Sequence, residues 1–180
     1  KETTPGAKVV FIGPCAAKKL EASRRTIRSD VDFVLTFEEA LGIFAAKGMD
    51  KAFLPEDEEE LPAYSSRDAR RFAYSGGVAQ AVVNAIHDMQ PEREVKVAAA
   101  AGLAECRKLL MMAKAGKRNG YLLEGMACPG GCIAGAGTVQ PPEKSRRLLE
   151  QYKAQAPKSN PVESDYTEYL PVSYKHLTLP

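Results

Sequence analysis

Tryptophan is missing from this 180-residue chain, and seven tyrosines with six phenylalanines bring its aromatic content to only 7%. So thin an aromatic complement argues against a surface on which nucleic-acid bases stack. An excess of one charge is missing too: 25 Lys and Arg against 23 Asp and Glu leave a formal net charge of +2. That balance gives no electrostatic footprint for nucleic acid or an anionic membrane surface. No apolar run approaches the ~20 residues needed to span a bilayer, and the opening KETTPGAK lacks the character of a secretory signal. These absences predict a cytoplasmic protein with no membrane span and no nucleic-acid partner.

What is present is ordinary globular material, 44% hydrophobic and 27% charged, enough for one domain with a core or for part of a larger one. The opening has no initiator Met and few residues before the first apolar run, so the sequence is expected to be a piece of a longer chain. LPVSYKHLTLP, Leu170–Pro180, continues no periodicity; a foreign or disordered extension is expected there, a native tail being the other reading. Four cysteines without a secretory signal argue against a disulfide framework and for metal or redox chemistry.

Apolar runs alternate with helical patterns. KVVFIG reads as a strand and AAKKLEASR as the helix after it. VDFVLT is a second strand, with Thr36 placed to cap the helix FEEALGIFAAKG and Glu39 three residues on to complete a capping box. DKAFLPEDEEELPAYSSRDARR is acidic, Pro-punctuated and aperiodic and reads as a surface loop, a docking patch for a partner being the other reading. FAYSGGVAQAVVNAIHDMQP reads as a short strand, a Ser-Gly-Gly turn and a helix ended by Pro91. EVKVAAAAG and GYLLEGMA are further strands around the amphipathic helix LAECRKLLMMAKAG, whose inner side carries Leu103, Cys106, Leu109, Leu110 and Ala113. PEKSRRLLEQYKAQ closes the series as a helix. The fold class is therefore α/β, built of parallel βα units, in which ligands bind at the carboxyl ends of strands.

Two stretches end strands with cysteine. In FIGPCAAKKLE, Pro14 suits the first turn of a helix, so Cys15 is expected at a helix N-terminus that favours thiolate and anions, with Lys18 in reach. A buried cysteine on a βα turn beside solvated lysines is the plainer alternative. In EGMACPGGCIAGAG, Cys128 and Cys132 bracket Pro129-Gly130-Gly131 on a bent loop. Glycines 130, 131, 135 and 137 would let backbone approach something bulky and offer N–H groups to sulfides. The spacing suits an iron–sulfur ligand loop better than a zinc site or a redox dithiol, which more often use two intervening residues. Cys106 reads as core. His87, late in a helix, reads as a cap or a solvent-facing residue, and His176 lies in the tail. YSGGVAQ lacks the Gly-Lys-Ser/Thr of a nucleotide loop, although Ser75 is placed to face the same cavity as the cysteines.

Taken together, GPCAAKKLE and EGMACPGGCIAGAG resemble the second and third cluster-binding motifs of the iron-only (di-iron) hydrogenases, and VDFVLTFEEA, YSGGVAQAV and GLAECRKLLMMAKAGK run in register between them. The resemblance covers about residues 8–155 and implies that residues 1–169 are the C-terminal portion of the two-lobed hydrogenase catalytic domain. It implies an H-cluster, a 4Fe–4S cubane joined to a di-iron unit carrying carbonyl, cyanide and dithiolate ligands, where protons and electrons interconvert with hydrogen. Carried over by position, Cys15, Cys128 and Cys132 would be metal ligands, with Cys132 also bridging to the di-iron unit. Lys18 would hydrogen-bond a cyanide, Met126 would wall the di-iron unit, and Glu21 closes the second motif. The implied partners are a ferredoxin-like electron carrier, hydrogenase maturation factors and the missing N-terminal part of the same domain.

Two departures stand out. The family's first motif, which supplies the fourth cubane cysteine and a proton-relaying one, is absent, so this chain alone is expected to be inactive. Gly13 stands where the standard enzymes carry Met, which opens a pocket wall and resembles divergent, sensory branches. The alternatives are therefore a hydrogen-sensing protein with slow turnover, or an iron–sulfur protein without the di-iron unit, as in cluster-assembly relatives. A four-cysteine zinc module is the non-redox alternative.

Overall fold

The computed structural model describes residues 4–24, 26, 30–49 and 65–163; most of the acidic stretch (50–64) and the tail, with His176, lie outside them. The βα alternation expected from the sequence is present as two separate βαβ units. In the first, β1 (Val10–Gly13) and β2 (Phe33–Thr36) pair in parallel, Ile12 opposite Leu35, with α1 (Ala17–Ser23) as the crossover. In the second, β3 (Lys96–Ala101) and β4 (Tyr121–Met126) pair in parallel, Ala100 opposite Gly125, with α4 (Leu103–Lys114) between them. Among the described residues three more helices, α2 (Phe37–Ala46), α3 (Gly77–Met89) and α5 (Pro142–Ala154), join the α/β framework. Among the described residues no helix is long and apolar enough to cross a membrane.

The capping box legible in the sequence is formed. Thr36 Oγ1 accepts from the Glu39 N–H at 3.2 Å, and Glu39 Oε2 accepts from the Thr36 N–H at 2.9 Å. Lys19 fastens α1 to the same carboxylate, donating to its two oxygens at 2.8 and 2.7 Å. The Lys19 ammonium, then the Thr36 N–H, hold the Glu39 carboxyl below its ordinary range.

Phe72–Tyr74, expected as a strand, is instead turn, entered from a 3₁₀ segment at Ala69–Arg71. Polar anchors to α5 override the apolar pattern. Arg70 is buried, donates to the Tyr152 carbonyl at 2.6 Å and stacks 3.8 Å from the Tyr152 ring. Tyr74, also buried, donates its hydroxyl to Glu150 at 2.5 Å.

On α4, Cys106, Leu109 and Ala113 are half-buried as expected, but Leu103 and Leu110 are 74% and 65% exposed. A two-stranded sheet is too narrow to cover the whole stripe. The same narrowness shows in the core, whose buried apolar residues are mostly small, among them Ala79, Ala81 and Val83 of α3 and Ala100 of β3. Val10, Ile12 and Phe33 of the first sheet stay about half exposed, where parallel sheets are ordinarily covered on both faces.

Candidate metal centre

Both cysteine stretches leave the carboxyl ends of strands. After β1, Pro14 and Cys15 turn the chain toward α1, whose N-cap is Ala16. Pro14 is thus outside the first helical turn, and Cys15 stands one residue before the cap. The expectation of a proline-opened helix is corrected here: the proline serves the turn.

After β4 the loop bends at Gly130 and Gly131, with φ +86° and +101°, and Cys132 opens a 3₁₀ turn, Cys132–Ala134. The loop stands on protein at both sides. On one, Ser75 N–H donates to the Gly130 carbonyl at 3.2 Å and Ile133 N–H to the Ala73 carbonyl at 2.9 Å. On the other, Gly137 N–H donates to the Pro14 carbonyl at 3.0 Å. A β-carbon at Gly131 would lie 2.5 Å from Tyr74 Cα, and one at Gly135 would lie 2.3 Å from the Pro14 oxygen. One at Gly137 would lie 2.5 Å from Thr36 Cβ. Three of the four loop glycines therefore admit this chain's own atoms, while Gly130 faces open space. Their N–H groups are also engaged: those of Gly131, Gly135 and Gly137 donate to the carbonyls of Cys128, Cys132 and Pro14. The expectation that these three donate to sulfides is accordingly replaced by one of loop docking.

That docking joins the units at the cysteines. Cys132 is exposed as a residue, yet partial loss of hydration at its thiol, then the neighbouring Cys15 and Cys128 sulfurs, hold that thiol above its ordinary range. The Lys18 ammonium acts in the opposite direction on the same thiol. Cys15, Cys128, Cys132 and Lys18 therefore share one electrostatic neighbourhood. Lys18 also lies 2.9 Å from both carboxylate oxygens of Glu21, giving that residue a local pairing role. Cys132 lies at the edge of an apolar cavity of about 540 Å³, lined by Phe11, Phe37, Phe72, Ile133 and Tyr152 among others.

The other candidates are spread around this centre. Ser75 meets the loop through its backbone N–H. Met126 ends β4 two residues before Cys128 and lines a separate pocket with Val78, Val82 and Leu122. His87 is exposed on α3, where it lines a polar pocket with Asp68 and Asn160. Cys106 stands apart on α4: its thiol donates to the Met126 carbonyl at 3.4 Å and packs against Gly125. Cys106→Ala should cost about 1–2 kcal/mol in chemical denaturation and leave bound metal unchanged; loss of metal on that substitution would make Cys106 a ligand.

The donor set can be tested against the group that the sequence motifs imply. Among the described residues, no three Cys, His, Asp or Glu side chains stand close enough to hold one metal ion. Thiolates on a single zinc sit about 3.8 Å apart, from the tetrahedral geometry at a Zn–S distance of about 2.3 Å. A cubane takes one thiolate at each of its separate iron corners and needs a wider spacing. The three cysteines that act on one another electrostatically form an all-sulfur set, which suits an iron–sulfur core chemically.

One residue at this centre carries no signal in the motif spacing. Glu124, nine-tenths buried in β4, accepts from the backbone N–H groups of Gly76 at 2.9 Å and Ala79 at 3.0 Å. It caps α3, whose own N-cap, Gly76, has no side chain to do so. The available clue was a carboxylate placed inside an otherwise apolar strand.

Residues 1–136 match the protein family described as iron only hydrogenase large subunit, C-terminal domain. The chain belongs to that family. Within reach of this hydrogenase family, the periplasmic [Fe] hydrogenase large subunit of Nitratidesulfovibrio vulgaris is 31% identical, over 71% of this chain and 38% of its own length. A probable cytosolic Fe-S cluster assembly factor of Drosophila virilis is 28% identical, over 92% of this chain and 44% of its own. The chain thus spans less than half the length of these curated relatives. Among solved structures, a variant of the FeFe-hydrogenase HydA1 from Chlamydomonas reinhardtii aligns with a TM-score of 0.61 at 22% identity, covering 93% of this chain and 58% of that one. The fold is that of the iron-only hydrogenases.

Proposed function

We propose that this chain is the cysteine-bearing portion of a hydrogenase-type iron–sulfur centre, in which Cys15, Cys128 and Cys132 would hold a 4Fe–4S cluster and Cys132 would also serve its di-iron unit. When bound, that group supplies the redox chemistry by which protons and electrons interconvert with molecular hydrogen. The chain's own residues provide its setting. Lys18, whose ammonium already acts on the Cys132 thiol, is assigned to an anionic cyanide ligand. Ser75, which holds the loop through its N–H, and Met126, which ends β4 two residues before Cys128, are assigned to the surroundings of the group. The apolar cavity that Cys132 lines would offer an apolar wall to one side of it. The fourth cubane thiolate comes from the rest of the family's domain, electrons from a ferredoxin-like carrier, the di-iron unit from maturation factors, and the setting is the cytoplasm.

The observation that supports this reading best is the seam at Pro14, where Gly137 and Gly135 bring the Cys128–Cys132 loop against the turn carrying Cys15. A second reading, an iron–sulfur assembly protein that carries the cubane alone, draws support from the assembly relative that matches 92% of the chain against 71% for the hydrogenase subunit. Infrared spectroscopy of the full-length protein, matured with hydrogenase maturation factors, separates the two. Bands of metal-bound carbonyl and cyanide support the hydrogenase reading, and iron and sulfide without them support the assembly reading. Lys18→Met should reduce loading of the di-iron unit several-fold with little change in melting temperature. Equal infrared intensity in variant and wild type would remove Lys18 from its assigned role.

A further inference from the structure

We infer that Glu124 is a positioning residue for the cysteine loop, setting Cys128 and Cys132 through the N-terminus of α3; this rests on the reading that these thiols bind an iron–sulfur cluster. One buried carboxylate joins the two places from which the loop hangs. Its own strand, β4, ends at Met126 and delivers Cys128 two residues later. Its two oxygens hold the N–H groups of Gly76 and Ala79, and so fix the turn at Tyr74–Ser75 that precedes α3.

That turn is the floor beneath Cys132. Gly131, the residue before the cysteine, lies so close that a β-carbon would come within 2.6 Å of the Ser75 nitrogen. Ser75 N–H reaches the Gly130 carbonyl, and Ala73 receives the N–H of Ile133. Every backbone hydrogen bond between this turn and the loop therefore falls within two residues of Cys132. The backbone of the turn, rather than any side chain of the loop, makes these contacts.

The chemistry of the carboxylate suits the task. Gly76, the N-cap of α3 at φ +84°, has no side chain to satisfy the amides at that end of the helix. An ionised carboxylate satisfies two of them at once and is favoured by the positive end of the helix. Glutamine keeps the shape but offers one acceptor and turns an N–H₂ toward the other amide. Alanine removes both acceptors and leaves two amides unsatisfied in a buried site.

The test uses the whole 180-residue chain with Glu124→Gln and Glu124→Ala, both checked for folding by circular dichroism. In the apo chains, alkylation by iodoacetamide is followed by mass spectrometry at each cysteine, with Cys15 as the internal reference. The inference expects Cys128 and Cys132 to react several-fold faster in Glu124→Ala, and by an intermediate factor in Glu124→Gln. If Glu124→Ala does not fold, Glu124→Gln alone carries the test. An unchanged alkylation profile in a folded variant overturns the inference.

A second arm reconstitutes each chain anaerobically with ferrous iron and sulfide, then follows bleaching by an iron chelator. Roughly tenfold faster bleaching in Glu124→Ala is expected, within the range seen when supports of metal ligands are lost. Equal bleaching in wild type and variant overturns the inference and leaves the cluster reading intact. A wild type that takes up no iron shows that loading needs the fourth thiolate from the rest of the domain, and the alkylation arm then decides the role of Glu124 by itself.

Discussion

Cys132→Ser is expected to abolish both hydrogen evolution and the infrared signature of the di-iron unit in the full-length, maturase-loaded protein. The substitution changes the donor atom and little else. Serine is close to cysteine in size, and the Cys132 contribution to loop geometry runs through its carbonyl, which receives the Gly135 N–H at 2.9 Å. The loop should therefore persist. What disappears is a soft sulfur able to bind iron as thiolate, replaced by a hydroxyl that is a far weaker acid and a harder donor. In the apo chain the Cys132 thiol is held above its ordinary range by partial desolvation and by its sulfur neighbours. Metal must displace that proton, so loading should strengthen as pH rises. Activity and infrared bands equal to wild type in Cys132→Ser would end the hydrogenase reading. Cys106→Ala is the matched control, because that thiol packs against Gly125 outside the shared neighbourhood.

Gly135→Ala should be nearly as damaging, for a reason unrelated to metal chemistry. Gly135 has φ −66° and ψ 153°, a conformation open to any residue, so alanine meets no backbone penalty. Its β-carbon, however, would lie 2.3 Å from the Pro14 oxygen and 3.0 Å from the Cys132 oxygen. Both are backbone atoms, and no side chain can turn away to make room. The loop must lift from Pro14, which breaks the Gly137–Pro14 hydrogen bond and draws Cys132 away from Cys15. Overpacking of this kind costs about 1–3 kcal/mol. Cluster retention should fall by roughly one or two orders of magnitude, as it does when supports of metal ligands are lost. Gly130→Ala is the informative comparison: it is strained at φ +86° but its β-carbon meets nothing. Equal cluster loss in both variants would show that bending of the loop, rather than docking on Pro14, governs the site.

Much of this arrangement is legible in the chain before any coordinates. Thr36 and Glu39 announce their capping box, because both partners lie within four residues. The four strands and the helices between them follow from local periodicity, and both cysteine stretches are placed at strand ends. What escapes is non-local. Phe72–Tyr74 has the composition of a strand, yet Arg70 and Tyr74 reach 82 and 76 residues along the chain to Tyr152 and Glu150. Glu124 is invisible for the same reason, since the amides it serves are 48 and 45 residues away. The loop glycines suggest room for a bulky group, but spacing cannot say that three of them accommodate Tyr74, Pro14 and Thr36 of the same chain. Leu103 and Leu110 satisfy the helical stripe but lack a wide enough sheet beneath them.

The seam at Pro14 also ties occupancy to cohesion. Two small βαβ units, each with little interior of its own, are sewn together by the loop that presents two of the three thiols. Whatever grips all three sulfurs becomes a rivet between the units, and its binding free energy adds to the work of prising them apart. Stripping the iron would then loosen the molecule along that line first, with amide exchange quickening around Pro14 and Gly137 while each unit keeps its own strands paired.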